Sequence, residues 1–264
     1  MESLPPVIYV LVILLGLAVG SFLNVVIARF DDLASIIKTR SHCPKCKKMI
    51  PWYDLIPFFS YFILAGRCRT CKKTISIQYP LVEFSTALIF SLIYWKFGLS
   101  VESLFLFIIS SILIVIAAYD WLKLEIPDIL SYLAIFFALG LLFYKLASSG
   151  ELGSPDSLLP YLYGLVVGLG FFGFLVVVSR QKWMGWGDCI LASLMGILLG
   201  FPGILVALFW AFVLGSLVSL LLMALKQKTL KDQIPFAPFL VVGTFIALFW
   251  GGELINIYLL RFGL

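Results

Sequence analysis

The chain has 264 residues, of which 62% are hydrophobic and only 12% are charged, and its mean hydropathy is +1.10. Soluble globular domains carry about 25% charged residues, so this composition excludes a soluble domain and predicts an all-α polytopic membrane protein. The net charge of +5 is compatible with a nucleic-acid partner, but the tether to the membrane makes that reading weak, and we expect no nucleic-acid partner.

Apolar runs along the chain predict about eight transmembrane helices. They cover Pro6–Ala28, Pro80–Trp95, Ser103–Tyr119, Ile129–Tyr144, Leu158–Ser179, Cys189–Phe201, Ile204–Leu225 and Pro235–Trp250. The first run lacks a basic start and a small-residue cleavage site, so we expect it to remain as an anchor. The predicted domains are therefore a first helix (1–28), a polar loop domain (29–79) and a helical membrane domain (80–264) of about seven helices.

The positions of the basic residues predict the orientation in the membrane. If all eight runs cross, all but three of the 19 Lys and Arg lie on one side, the three exceptions being Lys96, Lys145 and Arg261. Since Lys and Arg are retained in the cytoplasm, we expect the loop 29–79 to be cytoplasmic and both termini to be on the other side. This basic loop could also rest against anionic membrane lipid.

Two CxxC pairs in the loop 29–79 predict a metal site. They are "CPKC" (Cys43, Cys46) and "CRTC" (Cys68, Cys71), a spacing that allows four thiolates to surround one Zn²⁺. Two disulfides or four idle thiols are the alternatives, and a reducing cytoplasm disfavours the disulfides. Four cysteines fill a tetrahedral site, so its role would be structural. His42, the only histidine, could be a ligand but is expected to be exposed.

Three aspartates are predicted to lie at the cytoplasmic ends of helices. Asp128 follows a proline at a helix start, where capping alone could explain it. Asp188 also opens a helix, but Gly185 and Gly187 beside it suggest a close approach of another backbone. Asp120 ends a helix, where a negative charge opposes the helix dipole, so capping offers no explanation for it. An ionisable group in a membrane helix is by default a candidate for function.

Two facing carboxyl groups in a partly desolvated site cannot both ionise easily, which is the basis of aspartic-protease chemistry. A transporter or channel that relays protons is an alternative, but it predicts carboxylates spread through the membrane depth. A membrane scaffold that presents a zinc knuckle is another alternative, and it leaves Asp120 unexplained.

The string "GLGFFG" fits the dinucleotide-binding pattern through Gly168, Gly170 and Gly173. It lies inside an apolar helix with no preceding strand, so it fails the structural context of that motif. Gly164 and Gly168 form a GxxxG pair, which favours close helix packing.

The ordered motifs of the chain resemble those of the type IV prepilin peptidases. The motifs are "GSFLNVVIAR" (20–29), "RSHCPKC" (40–46), "WYDLIPFFSY" (52–61), "GRCRTC" (66–71), "ISIQYPLVE" (75–83), "DWLKLEIPD" (120–128), "MGWGD" (184–188) and "IPFAPFL" (234–240). Leu55 and Ala237 depart from the family pattern, in which asparagine and glycine are common at those positions.

The resemblance implies an aspartic membrane protease of the GxGD kind in the bacterial inner membrane. Asp120 and Asp188 would be its catalytic pair, with Asp128 in support and with Gly185 and Gly187 leaving room for the substrate backbone. The substrates would be prepilins or pseudopilins with a basic leader, cut at the cytoplasmic face. The resemblance also implies methylation of the new N-terminus with S-adenosylmethionine. Its residues, and the oligomeric state, are not assigned by the sequence.

Two more polar residues lie in the matching motifs without an assigned role. They are Asn24 and Glu83, and both fall within predicted membrane helices.

Overall fold

A computed structural model describes residues 6–151, 154–182, 184–229 and 232–262. Lys231, which the charge count includes, lies outside these ranges. Ten α-helices account for most of the described chain: α1 (Pro6–Ala28), α2 (Leu33–Lys38), α3 (Phe59–Ile63), α4 (Gln78–Phe97), α5 (Val101–Lys123), α6 (Asp128–Ser148), α7 (Pro155–Ser179), α8 (Trp186–Leu199), α9 (Gly203–Ala224) and α10 (Ala237–Phe262).

The all-helical fold predicted from the sequence is confirmed, and each predicted apolar run falls largely on one helix. Within the described ranges, six helices are long and apolar enough to span a membrane, namely α1, α5, α6, α7, α9 and α10. The chain is therefore a multi-pass membrane protein. The count of eight crossings is not confirmed. Helix α8 has only 14 residues, or about 21 Å at 1.5 Å per residue, and α4 carries both a glutamate and a lysine among its apolar residues.

The chain forms two compact units, 1–118 and 119–264. In the first unit, α1 and α4 run antiparallel and pack at very short distance. A Cβ atom added at Gly16 would lie 2.6 Å from the Cα of Ala87, and one at Gly20 would lie 2.7 Å from the Cα of Glu83. Only glycine leaves room for so close an approach.

In the second unit, the short helix α8 lies among α6, α7, α9 and α10. Its side chains from Leu191 to Leu198 are all buried, as are those of Phe172 on α7 and Ile204 on α9. A helix that is apolar on all sides is typical of the centre of a bundle. The sequence did not reveal this central position, because a run of apolar residues looks alike in lipid and in a protein core.

The helix ends differ from the predicted ones by a few residues, and this matters for the aspartates. Helix α5 continues to Lys123 and ends before Leu124, which has a φ of 58°. Asp120 therefore lies in the last turn of α5 rather than beyond it. Helix α8 begins at Trp186, so Asp188 is inside its first turn.

Glycines also mediate the contact of α7 with α8. A Cβ atom at Gly164 would lie 2.6 Å from the carbonyl oxygen of Gly196, and one at Gly168 would clash with the carbonyl oxygen of Ala192. Gly170 has open space around it. The interpretation of Gly164 and Gly168 as a packing pair is thus supported.

Gly164→Val should disrupt the α7–α8 contact, because the new side chain meets backbone that cannot move aside. We expect a destabilisation of about 2 kcal/mol or more, measured as a lower midpoint of thermal inactivation in detergent. Gly170→Val on the same helix is the matched control and should shift the midpoint little. Equal shifts for the two variants would contradict this account.

Candidate active site and metal centre

Asp120 is buried, with only 5% of its surface exposed. Its Oδ2 atom accepts a hydrogen bond from the backbone N–H of Ala237 at 3.0 Å. Ala237 is the first residue of α10, so this N–H has no partner within its own helix. The positive end of the α10 dipole also favours a nearby carboxylate. These two effects explain how an acid is tolerated at the unfavourable end of α5.

Asp188 is the third residue of α8 and interacts with the backbone N–H of Gly185, the residue that precedes this helix. An acid at the third helical position often reaches back in this way. Asp188 is also near enough to Asp120 for the two charges to repel each other. The structure thus places two carboxyl groups whose residues are 68 positions apart in the sequence within electrostatic range of each other.

The other residues of the predicted site have different surroundings. Asp128 is exposed in the first turn of α6, where its charge favours the helix dipole. A Cβ atom at Gly187 would lie 2.8 Å from the Cβ of Ile126, so Ile126 fills that clearance. Gly185 is open, because the nearest atom to such a Cβ is the backbone N of Gly187 at 3.9 Å.

Aromatic rings lie beside the segment that contacts Asp120. The ring centroid of Phe236 is 5.2 Å from that of Phe212, 6.2 Å from Phe172 and 6.3 Å from Phe239. Phe236 directly precedes Ala237, so these rings form an apolar wall next to the Ala237 N–H. A low local dielectric strengthens the interactions of the two carboxyl groups.

The sequence did not predict the Ala237 N–H as part of this site. The motif "IPFAPFL" pointed to the segment, since Pro235 and Pro238 restrict its backbone around Ala237. Every residue except proline has a main-chain N–H, however, so the residue type does not identify this donor and only the fold reveals it.

The four cysteines predicted to bind zinc lie together. The Sγ atoms of Cys43, Cys46, Cys68 and Cys71 are all within 4.8 Å of one another, and those of Cys43 and Cys71 are 3.9 Å apart. A tetrahedron of sulfurs at about 2.3 Å from Zn²⁺ requires separations of about 3.8 Å. No disulfide joins them. The donor set and its spacing therefore fit a structural zinc ion.

The two CxxC segments share one local geometry. The Cys43 N–H donates to the carbonyl of Lys48 at 3.0 Å, and the Cys68 N–H donates to that of Lys73 at 2.8 Å. His42 is exposed and contacts the Arg40 carbonyl, as expected for a residue outside the ligand set.

Backbone donors favour the thiolate form that a metal needs at two of the four cysteines, Cys43 and Cys68. The N–H groups of Cys71 and Thr70 lower the pKa of the Cys68 thiol to about 6. The Cys46 N–H lowers the pKa of Cys43. Thiolates, not thiols, are the ligands of zinc.

A paired acid supports this metal site. Both oxygens of Asp54 accept hydrogen bonds from the guanidinium of Arg69, at 2.7 and 2.8 Å. Arg69 lies between Cys68 and Cys71, so the pair ties the segment around Trp52 to the second CxxC. The guanidinium lowers the pKa of Asp54, which stays ionised and paired.

Comparisons with known proteins find matches along most of the chain. Residues 14–97 match the bacterial peptidase A24 N-terminal domain, and residues 107–220 match the type IV leader peptidase family. No solved structure matches the chain.

Three relatives illustrate the similarity, and each is named prepilin leader peptidase/N-methyltransferase. The protein of Legionella pneumophila is 31% identical over 281 residues, which cover 97% of this chain and 96% of the relative. That of Bacillus subtilis is 29% identical, covering 92% and 95%. That of Myxococcus xanthus is 34% identical over 84% of this chain, which spans 66% of the relative's length.

Cys71→Ser should remove the bound zinc, because three thiolates and a hydroxyl hold the ion far less tightly. We expect about one zinc per chain in the unaltered protein, by elemental analysis, and less than about a tenth of that in the variant. Cys189→Ser is the matched control and should keep its zinc, since Cys189 is buried on α8 and outside the cluster. Full zinc in both variants would contradict the assignment.

Proposed function

Because this chain belongs to the type IV leader peptidase family, we propose that it is a membrane aspartic endopeptidase that removes the basic leader of prepilins or pseudopilins. The same enzyme then methylates the new N-terminus, with S-adenosylmethionine as methyl donor. The observation that carries the protease assignment is the approach of Asp188 to Asp120, whose Oδ2 is held by the Ala237 N–H.

Peptide cleavage by this pair follows from its electrostatics. Two neighbouring carboxyl groups in an apolar site share a proton, since two like charges so close do not both ionise readily. The ionised member takes a proton from a water molecule, which attacks the scissile carbonyl. The protonated member donates to the carbonyl oxygen, where negative charge develops. The Ala237 N–H fixes the orientation of Asp120 during these steps.

The proposed site of cleavage is the cytoplasmic face of the bacterial inner membrane. The distribution of Lys and Arg favours cytoplasmic ends for the helices that bear Asp120 and Asp188. A basic leader is retained on that side for the same reason. Under this proposal both termini lie on the other side, and Asp128 and Gly185 lie near the path of the substrate.

The alternatives drawn from the sequence are less well supported. A proton-relaying transporter and a zinc-bearing scaffold both fail to account for the family match over residues 107–220. The zinc ion in this proposal only stabilises the polar loop, because all four of its ligand positions are occupied by cysteines.

A cavity in the first unit is suited to S-adenosylmethionine. It has a volume of about 660 Å³ and is lined by residues that include Phe22, Arg29, Arg40, Met49 and Trp52. Small-molecule sites have volumes of about 300–1,000 Å³. The Trp52 ring offers a stacking surface for the adenine, and the Arg40 guanidinium offers a partner for the carboxylate. When bound, the molecule supplies an electrophilic methyl group.

Asp120→Asn and Asp188→Asn should each lower the rate of prepilin cleavage in reconstituted vesicles at least about 100-fold. Asparagine keeps the size and, at position 120, an acceptor for the Ala237 N–H, but it cannot exchange the proton. Both variants should keep their zinc and the midpoint of thermal unfolding of the unaltered protein, which shows that both units are folded.

The comparison with Asp128→Asn makes this test specific. We expect that variant to retain at least about a tenth of the activity, because Asp128 is exposed at a helix start. Normal cleavage by either of the first two variants would remove that residue from the catalytic pair.

Trp52→Leu should weaken the binding of S-adenosylmethionine about tenfold, as measured by calorimetry, because the stacking surface is lost. Trp95→Leu is the matched control, since Trp95 is another exposed tryptophan (45%, against 78% for Trp52) but lies on α4 outside the cavity. Unchanged binding in Trp52→Leu would place the methyl donor elsewhere.

A further inference from the structure

Glu83 is a buried acid that the cleavage mechanism does not use. Only 7% of its surface is exposed. Its Oε2 atom accepts a hydrogen bond from the backbone N–H of Phe58 at 2.6 Å, and the Ser21 hydroxyl also donates to the carboxylate. Neither donor carries a positive charge. A buried carboxylate without a cationic partner is costly and therefore calls for an explanation.

The backbone that contacts Glu83 is strained. Phe58 has a φ of 63° and a ψ of −56°, and the N–H of Phe59 donates to the carbonyl of Pro57 at 2.7 Å. This is a γ-turn of the rare, strained form. Strained backbone in a non-glycine residue clusters at functional sites, because the surrounding structure must hold it there. Here the short hydrogen bond to Glu83 holds it.

A second buried acceptor lies one helical turn away. Asn24 is 2% exposed, and its Nδ2 donates to the carbonyl of Tyr79 at 3.0 Å. That bond fixes which side of the amide carries the oxygen. The Oδ1 atom has no hydrogen-bond partner among the described residues. Since α1 and α4 are antiparallel and Gly20 faces Glu83, Asn24 lies about one turn from Glu83 along this contact.

We propose that Glu83 and Asn24 bind the primary ammonium group of the substrate's new N-terminus and present it for methylation. This inference rests on the methyltransferase half of the proposed function. The Asn24 Oδ1 and the Glu83 carboxylate supply acceptors for its N–H groups, and the carboxylate supplies the opposite charge. The same carboxylate is placed to take the proton that the ammonium must lose before its nitrogen can bond to the methyl carbon. The bond from that carbon to the sulfonium sulfur would break, and S-adenosylhomocysteine would leave.

The surroundings match a terminal amine followed by an apolar chain. The Phe58 ring stacks on that of Phe84 with centroids 5.8 Å apart, and its centroid is 4.9 Å from that of Phe62. Phe62 and Phe84 are more than half exposed. Aromatic faces attract cations as well as apolar side chains, so this cluster suits the first residues of a hydrophobic helix whose amine reaches Glu83.

The cavity suited to S-adenosylmethionine lies on the neighbouring face of the same helix. Phe22, Val25 and Arg29 line that cavity, whereas Ser21 and Asn24 face α4. Phe22 and Val25 follow Ser21 and Asn24 by one residue each, and one residue corresponds to a rotation of about 100° around the axis of α1. The amine and the methyl donor would therefore lie side by side along the same two turns.

The test compares two forms of one peptide that represents a pre-cut substrate, with either a free or an acetylated N-terminal amine. The full-length zinc-loaded protein in lipid nanodiscs should bind the free amine about tenfold or more tightly than the acetylated form. Glu83→Gln should abolish this preference and lower methylation of the free peptide at least about 100-fold. Glutamine keeps an acceptor for the Phe58 N–H, so zinc content should stay unchanged.

Ser91→Ala is the matched control, because Ser91 is a buried polar residue on the same helix and its hydroxyl donates to the carbonyl of Ala87 within that helix. Ser91→Ala should leave both the binding preference for the free amine and the rate of methylation within about twofold of the values for the unaltered protein. Asn24→Leu should reduce the preference for the free amine without changing the affinity for S-adenosylmethionine.

Two results would overturn the inference. One is an unaltered protein that binds the free and acetylated peptides equally, a result that needs no variant. The other is a zinc-loaded Glu83→Gln protein that keeps the preference and methylates normally. A protein that cleaves but never methylates would instead refute that half of the proposed function, while the binding comparison still decides whether Glu83 recognises an amine.

Discussion

The hydrogen bond from the Ala237 N–H to Asp120 is the interaction on which the proposed protease site depends. A carboxylate in an apolar helix bundle needs a donor, and a cationic side chain beside it would hold it ionised and paired. A main-chain N–H at the start of α10 stabilises the acid without adding a unit charge. The group therefore remains free to exchange a proton. The same hydrogen bond joins the end of α5 to the start of α10. It therefore both connects these two helices and fixes the position of Asp120.

Glu83 in the first unit shows the same physical arrangement. A backbone N–H from a distant segment, that of Phe58, contacts a buried carboxylate that forms no ion pair with any residue in the described part of the chain. Asp54 illustrates the contrasting case, since both of its oxygens are bound by the Arg69 guanidinium. A fully paired acid of this kind stabilises the loop but has no free charge for a substrate. The type of hydrogen-bond donor thus distinguishes Asp120 and Glu83, which can exchange a proton, from Asp54, which stabilises the loop.

The sequence predicted those parts of the molecule whose signal is local. The CxxC pairs impose a short turn on each side of the metal, so four cysteines at that spacing were sufficient to predict the cluster. The helices followed from apolar runs, and the aspartates stood out because an acid is rare in such surroundings. The contacts of Ala237 and Phe58 could not be predicted, because their donors are main-chain atoms that every residue except proline has. The central position of α8 was also beyond the sequence, since burial in protein and in lipid selects the same residues.

The position of Asp188 depends in turn on residues that have no chemistry of their own. Helix α8 is too short to be fixed by the two faces of a membrane, so its depth is set by its contacts within the bundle. The close approach of Gly164 to Gly196 and of Gly168 to Ala192 brings the backbones of α7 and α8 together, and Ile126 packs into the space left at Gly187. A side chain at any of these glycines would displace the first turn of α8 and carry Asp188 away from Asp120. Gly164, Gly168, Gly187 and Gly196 are therefore required for the geometry of the proposed catalytic pair, even though none of them reacts.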